Sequence, residues 1–439
     1  MRKPAQSDTN RLNFYYLYAD ILWFGITAGS TLNFLAIYLT RLGASSLQIG
    51  LLTAGPAAIQ LLFSLPVGRS LERLPVIRAT YSAALLQRLG HVILIFLPWF
   101  LDGSEQIWVI LLIVLVGSVP GTVLMIGFNA MLADLVPVSL RGTVIGRRNA
   151  LLAISLTLST LVCGLILDRV AFPLNYQVVF LLGGVSAMVS TYQITRLRYP
   201  EPSPERVNQP QGERAQLNVP AQPTAQVWPG GQAALPTSWI AASLRFLRRG
   251  GARRLLPLDL LKTPFGAFIL SYLVFYFAQY VGIPLYPPYM VRDLGLKDSQ
   301  ISLGFVFFYL TMFLGSLQIH RIARRWGHRG VLIAGGMLFS VYPLLFVMAK
   351  DATLYYLASI LGGFVWALVS AGLLNRLMER VPEDERPQGM ALHNLVMNTG
   401  ILSGSLTGPL IGDLMGLRPA LFVSGLLRLA AGFVLLRWG

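Results

Sequence analysis

The chain has 439 residues, of which 54% are apolar and only 12% are charged, against about 25% charged in soluble domains. A water-soluble enzyme of this length could not bury so much apolar surface, and the single cysteine, Cys163, excludes an internal disulfide and a cysteine-rich zinc cluster. A net charge of +16 would fit a nucleic-acid binder, so the positions of the cations must decide.

Apolar stretches follow one another along the whole chain. The pattern predicts spans at 14–40, 46–68, 76–99, 107–132, 143–167 and 175–195. Six more follow at 265–291, 300–320, 331–349, 353–377, 390–412 and 418–436. Each can cross a bilayer as a helix, which satisfies its own backbone in lipid. A spanning barrel would need alternating segments of about ten residues, and continuous runs such as 107–116 exclude it. The first span follows Arg2, Lys3 and Arg11; it is too long for a cleaved leader and is predicted to be retained.

Between spans six and seven, 196–262 carries nine prolines among Gln, Ala and Glu and reads as a linker, disordered in part. Its end, 243–262, sets Arg245, Arg248, Arg249, Arg253, Arg254 and Lys262 among leucines. That suits a surface helix on anionic lipid at the cytoplasmic face, or a plain topogenic cluster. The predicted organisation is a six-helix bundle over 1–195, a cytoplasmic linker over 196–262 and a second six-helix bundle over 263–439.

With the N-terminus placed in the cytoplasm, 27 of the 35 Lys and Arg residues fall on the cytoplasmic side and six on the other. Arg88 and Arg428 lie within spans. This asymmetry predicts both termini inside, in the inner (plasma) membrane, and accounts for the net charge without nucleic acid.

The two halves repeat. Leu42-Gly43-Ala44-Ser45-Ser46-Leu47-Gln48-Ile49 matches Leu294-Gly295-Leu296-Lys297-Asp298-Ser299-Gln300-Ile301 at an offset of 252. At an offset of 245, Val136-Pro137 and Arg141 fall on Val381-Pro382 and Arg386, Asn149 on Asn394, and Asp168 on Asp413. Parallel six-helix halves about an axis normal to the membrane are the consequence.

Gly68-Arg69-Ser70-Leu71-Glu72-Arg73, after the second span, and Arg324-Arg325-Trp326-Gly327-His328-Arg329, after the eighth, carry parts of the pattern Gly-x-x-x-Asp-Arg-x-Gly-Arg-Arg. With twelve spans and the six-plus-six repeat, the chain resembles the major facilitator superfamily. The resemblance implies an all-α integral membrane protein of twelve transmembrane helices in two pseudo-symmetric six-helix bundles. It also implies that helices one, four, seven and ten face a central cavity. In drug-exporting members a Gly-Pro motif lies in the fifth helix; Cys163-Gly164-Leu165-Ile166 stands there without a proline, which speaks against a drug antiporter. Span eleven instead carries Gly400, Gly404, Gly408-Pro409 and Gly412, a face that lets a neighbouring backbone come close.

Helical spacing then selects candidate cavity residues. In span one, Asp20, Phe24, Thr27, Thr31, Phe34 and Tyr38 share a face. In span seven, Tyr272, Gln279 and Tyr286 do, and lie at an offset of 252 on Asp20, Thr27 and Phe34. Span four offers Ser118, Thr122, Met125 and Asn129, and span ten Ser370 with Trp366 at the edge of its face. Asp20 is the acid placed inside a span, which suits a proton carrier; pairing with Arg147 or Arg148 is the plainer alternative. Arg88 and Arg428, on peripheral helices, are expected to pair or snorkel. Glu72, Arg73, Asp134, Arg141, Glu379 and Arg386 sit at cytoplasmic helix ends, where the resemblance implies a latch between the halves. Kinks are predicted at Pro120-Gly121 and at Pro284, Pro287 and Pro288.

No phosphate-binding loop, metal cluster or nucleophile–base pair stands out, so no cofactor, metal or catalytic residue is expected. The reading is a monomeric secondary transporter of a small organic solute, working by alternating access and coupled to protons. A receptor or scaffold that keeps this fold without transport is the alternative from another class.

Overall fold

The computed structural model describes residues 6–73, 75–198, 262, 264–381 and 386–439. Among them every regular element is helical, and the helices form twelve rods. α1 runs through Gln6–Thr27, a π turn at Ala28–Leu32 and Asn33–Arg41. α2 is Ser46–Arg73, α3 Val76–Phe100, α4 Gly103–Leu135, α5 Arg141–Arg169 and α6 Leu174–Thr195. α7 starts as Pro264–Gly282 and continues through a 3₁₀ turn at Ile283–Leu285, Tyr286–Pro288 and a π turn at Tyr289–Asp293. Asp298–Leu338 is broken at Gly327, whose φ of 67° only a glycine adopts readily. The break separates α8 (298–326) from α9, which ends with Val341–Met348. α10 is Ala352–Arg380, α11 Arg386–Met415 and α12 Leu417–Trp438. The calls on the linker and its basic end fall almost wholly on 199–261, outside the described residues.

The proline expectations divide. In α7 the backbone leaves α geometry at Ile283–Leu285 and again at Tyr289–Asp293, around Pro284, Pro287 and Pro288, which remove three donors within five residues. Pro120 is different: α4 runs from Gly103 to Leu135 without a break, so the interruption expected at Pro120-Gly121 is corrected. A lone proline removes one donor, and the helix bridges it.

The repeated motif has a mechanical meaning. Gly43 and Gly295 both hold positive φ, 95° and 59°, and end α1 and α7. Gln48 and Gln300 then reach back, their Oε1 atoms accepting from the backbone N–H of Ser45 at 2.8 Å and of Lys297 at 2.9 Å. Each copy is a helix stop followed by a helix start, at the end of the molecule opposite the termini (the far side below).

Packing repeats as well. α1 lies against α5 and α6, and its counterpart α7 lies against α11 and α12. The glycine stripe of α11 is what brings α7 close: a Cβ on Gly404 would stand 2.5 Å from the carbonyl oxygen of Phe277, and one on Gly408 would fall on that of Val281. The two bundles meet through α2 against α11 and α5 against α8, a pair of seams that the repeat exchanges.

Candidate functional site

Polar groups gather in three places: inside the first bundle, inside the second, and along the seam between them. The first cluster is built on Asp20, about a third of the way along α1 from Arg11. Its carboxylate accepts from Arg148 Nη2 of α5 at 3.2 Å and from Ser190 Oγ of α6 at 2.6 Å. Arg88 Nη2 of α3 stands 3.8 Å away. Arg88 also donates to Thr191 Oγ1 at 2.9 Å and to the Ala187 carbonyl at 3.3 Å. The Arg148 guanidinium lies over the Phe128 ring of α4 at 4.7 Å. All three charged groups are buried, and Arg148 Nη1 has no partner. Asp20 therefore pairs with Arg148, as the plainer reading has it, and Arg88 joins them rather than snorkelling.

The second cluster is built on Arg428 of α12, 2% exposed. Its Nη2 donates to the Gln279 carbonyl of α7 at 3.0 Å, and its guanidinium lies over the Phe339 ring at 4.7 Å and near the Tyr286 ring at 5.9 Å. Nε and Nη1 have no hydrogen-bond partner, nor do Ser424 Oγ and Gln279 Oε1.

The third group crosses between bundles. Asn33 of α1 donates to Thr160 Oγ1 of α5 at 2.9 Å and accepts from Tyr309 OH of α8 at 2.7 Å. Ser302 Oγ donates to the Thr160 carbonyl at 2.7 Å, and Thr53 Oγ1 to Ser405 Oγ at 2.9 Å. Nearer the far end, Arg41 Nη2 donates to the Leu296 carbonyl at 2.8 Å and to Asp298 Oδ1 at 3.1 Å, while Arg292 Nη2 donates to the Ala44 carbonyl at 2.5 Å. Asp168, at the end of α5, accepts from the Ser299 backbone N–H at 3.1 Å and from its hydroxyl. Ser299 is in the first turn of α8, so an acid of one bundle caps a helix of the other. These cross-bundle bonds cluster within about 17 Å of the far helix ends, eleven residues or fewer at 1.5 Å each.

The residues selected by periodicity land differently from where a cavity lining would put them. Thr27 Oγ1 donates to the Gly183 carbonyl of α6 at 3.0 Å, and Thr31 also packs on Gly183. Tyr286 turns its ring to Arg428, which bonds the backbone carbonyl of Gln279 rather than its side chain. The faces of α1 and α7 are equivalent, as the offset of 252 predicts, but both are turned into their own bundles. Tyr272 donates to the Leu373 carbonyl of α10 at 2.8 Å. Thr122 and Ser370 bond carbonyls of their own helices, Ser118 and Ala367. Asn129 is buried in α4, and Trp366 packs tilted against Phe339 with ring centres 5.2 Å apart. Phe34 reaches the seam, its ring 6.4 Å from that of Phe305.

Among the predicted latch residues, Glu379 accepts from Arg376 at 3.0 Å and stands 4.0 Å from His328, both in its own bundle. Asp134 is exposed at the end of α4 and Arg141 donates to the Val136 carbonyl at 3.1 Å. The side chains of Glu72, Arg73 and Arg386 lie outside the described residues. The seam residues Asn33 and Tyr309 were not singled out by periodicity. The signal was an amide in an apolar span, whose buried polar atoms demand partners.

The model of the Major Facilitator Superfamily matches residues 21–267 and 268–439. The quinolone resistance protein NorA of Staphylococcus aureus is 24% identical over 161 residues, 36% of this chain and 41% of that protein. The chain thus aligns with well under two thirds of the length of the curated relatives it matches. Solved structures align far more completely. A bacterial homologue of the iron transporter ferroportin in an inward-facing state superposes with a TM-score of 0.70 at 13% identity, over 99% of both chains. A D-xylose–proton symporter does so with a TM-score of 0.67 at 13% identity, over 98% of this chain and 97% of that one. Twelve helices, the six-plus-six repeat and a family match across almost the whole chain place this multi-pass membrane protein in the major facilitator superfamily.

Proposed function

We propose that the chain is a secondary transporter that carries a small organic solute by alternating access. The observation that carries this reading is the set of bonds between the bundles at the far side. The far side is closed by Arg41–Asp298, Arg292–Ala44 and Asp168–Ser299, contacts between bundles that must break if the bundles rock apart there. With the termini in the cytoplasm, as the cation asymmetry supports, this is the state closed to the outside. Resistance-protein names among the relatives support an organic and partly apolar solute. The protein acts as a monomer.

Proton coupling rests on Asp20. In this state the carboxylate is held by Arg148 and Ser190, so it carries a proton only in a state where Arg148 lets go. The ion pair, rather than the acid alone, is then the coupling element.

The test is solute flux into liposomes containing the purified chain, with a panel first narrowed by thermal shift at pH 5.5 and pH 7.5. Saturable flux driven by a pH gradient supports the reading. Asp20→Asn is expected to abolish gradient-driven flux while leaving solute exchange. Ligand binding without flux would instead favour a receptor.

A further inference from the structure

The start of α9 and the end of α12 meet at a corner on the side of the termini. They pack closely there: a Cβ on Gly432 would stand 2.6 Å from Met337 Cγ, and one on Gly336 would stand 3.0 Å from Leu435 Cδ1. Arg329 Nη2, in the first turn of α9, donates to the Leu436 carbonyl of α12 at 2.9 Å. The next residue but one after Leu436 is Trp438, and the Arg437 guanidinium lies over its ring at 5.2 Å. Trp326 closes the other flank, its Cβ 3.1 Å from where a Cβ on Gly330 would stand.

This corner is exposed and positive. Arg329 and Arg437 both face outward. Among the described residues no acid pairs with either: Glu379 goes to Arg376 and His328, and Arg376 also takes the Gly439 carbonyl. One bond to Leu436 leaves Arg329 most of its five N–H donors. Trp326 and Trp438 are 59% and 45% exposed, as suits rings at the membrane–water interface. Just inward on α12, Phe433 and Leu436 are also exposed. Two planar donor groups, interfacial indoles and an apolar strip below them match a phosphate head on acyl chains. With two cations and no acid, the fit is to a head of net negative charge. The first bundle has a related corner between α3 and α6, but there Arg196 stacks on Tyr192 and also bonds Tyr16 of α1.

We propose that Arg329, Arg437 and Trp438 hold the headgroup of an anionic phospholipid at the α9–α12 corner, with its chains along Phe433 and Leu436. This site is independent of the transport reading, and its test needs no solute.

The experiment is native mass spectrometry of the purified full chain titrated with phosphatidylglycerol or phosphatidylcholine in mixed micelles. The expected result is one phosphatidylglycerol held at least tenfold more tightly than phosphatidylcholine. Arg329→Gln with Arg437→Gln is expected to weaken that lipid about thirtyfold, near fivefold for each cation lost at the surface. Arg78→Gln with Arg147→Gln removes the same charge from the same side of the first bundle and is expected to leave it unchanged. If the double variant does not fold, Arg437→Gln alone decides, with an expected loss of about fivefold. Equal binding of the two lipids overturns the proposal, as do equal losses in the two double variants, which would mean a diffuse field. Displacement of the lipid by inorganic phosphate at equal concentration also overturns it, because the chains would then contribute nothing.

Discussion

The two bundles share a plan and differ in how they hold charge. In the first, α1 presents an acid to arginines from α3 and α5. In the second, α7 presents the Gln279 backbone carbonyl and the Tyr286 ring to an arginine from α12. At an offset of 252, Asp20 falls on Tyr272, which bonds a backbone carbonyl and leaves Arg428 without a carboxylate. An ion pair in the membrane interior is stable only as a unit, because removing one partner strands the other. A cation held by π faces and a carbonyl has no such partner to strand. The first bundle thus holds its buried charge in an ion pair, and the second holds Arg428 against rings and a carbonyl.

The largest expected effect breaks the first bundle. Asp20→Ala strands Arg88 and Arg148 in an interior that offers them no other acid among the described residues. A loss of about 3–5 kcal/mol is expected for uncompensated buried charge, seen as a large drop in Tm. Arg428→Met, which leaves no charge behind and keeps a long apolar stem, is expected to cost within about 1 kcal/mol. Equal losses for the two variants would erase the contrast between bundles.

A double-mutant cycle sharpens it further. Asp20→Asn and Arg148→Gln, separately and together, should give a coupling energy of about 1–3 kcal/mol, because the pair is in direct contact and buried. The same cycle on Tyr286→Phe and Arg428→Gln should give less, about 0.5–1 kcal/mol, since the contact is with a neutral phenol rather than a carboxylate. Thermal or denaturant unfolding in one detergent provides all eight stabilities.

How much of this the sequence carried depends on the kind of signal. Hydropathy located all twelve helices, because crossing lipid imposes length and composition locally. The repeat located the stop-and-start turns, because Gly43, Gly295, Gln48 and Gln300 do their work within a few residues of themselves. Periodicity also put Asp20 and Thr27 of α1, and Gln279 and Tyr286 of α7, on matching faces. It could not say what those faces meet. A polar stripe looks the same whether it lines a cavity or meets a buried arginine, and that choice is made by Arg88, Arg148 and Arg428, tens to hundreds of residues away. The cap from Asp168 to Ser299 was hidden for the same reason: the cap and its helix are 131 residues apart. The π turn at Ala28–Leu32 has no sequence signal that hydropathy reads, yet it adds a residue to the turn just before Asn33 reaches the seam.

The smallest expected effect concerns the two matched turns. α2 begins with Ser45 and Gln48 capping each other inside one bundle, whereas α8 begins with Ser299 capped by Asp168 from the other. A cap within a bundle stabilises every conformation of the transporter alike. A cap between bundles stabilises only states in which the far ends touch. Losing either is worth about 1 kcal/mol, but the readouts should differ. A reporter at Ser302→Cys, in a Cys163→Ala background, sits 1% exposed on α8 against α5 and is shielded while the far side is closed. Asp168→Ala is expected to raise labelling by a membrane-impermeant thiol reagent about fivefold, the factor that 1 kcal/mol gives in an opening equilibrium. Gln48→Ala is expected to lower Tm slightly and leave the labelling rate unchanged. If both variants raised labelling equally, the cross-bundle cap would be ordinary helix stabilisation, and closure of the far side would rest on Arg41–Asp298 and Arg292–Ala44 alone.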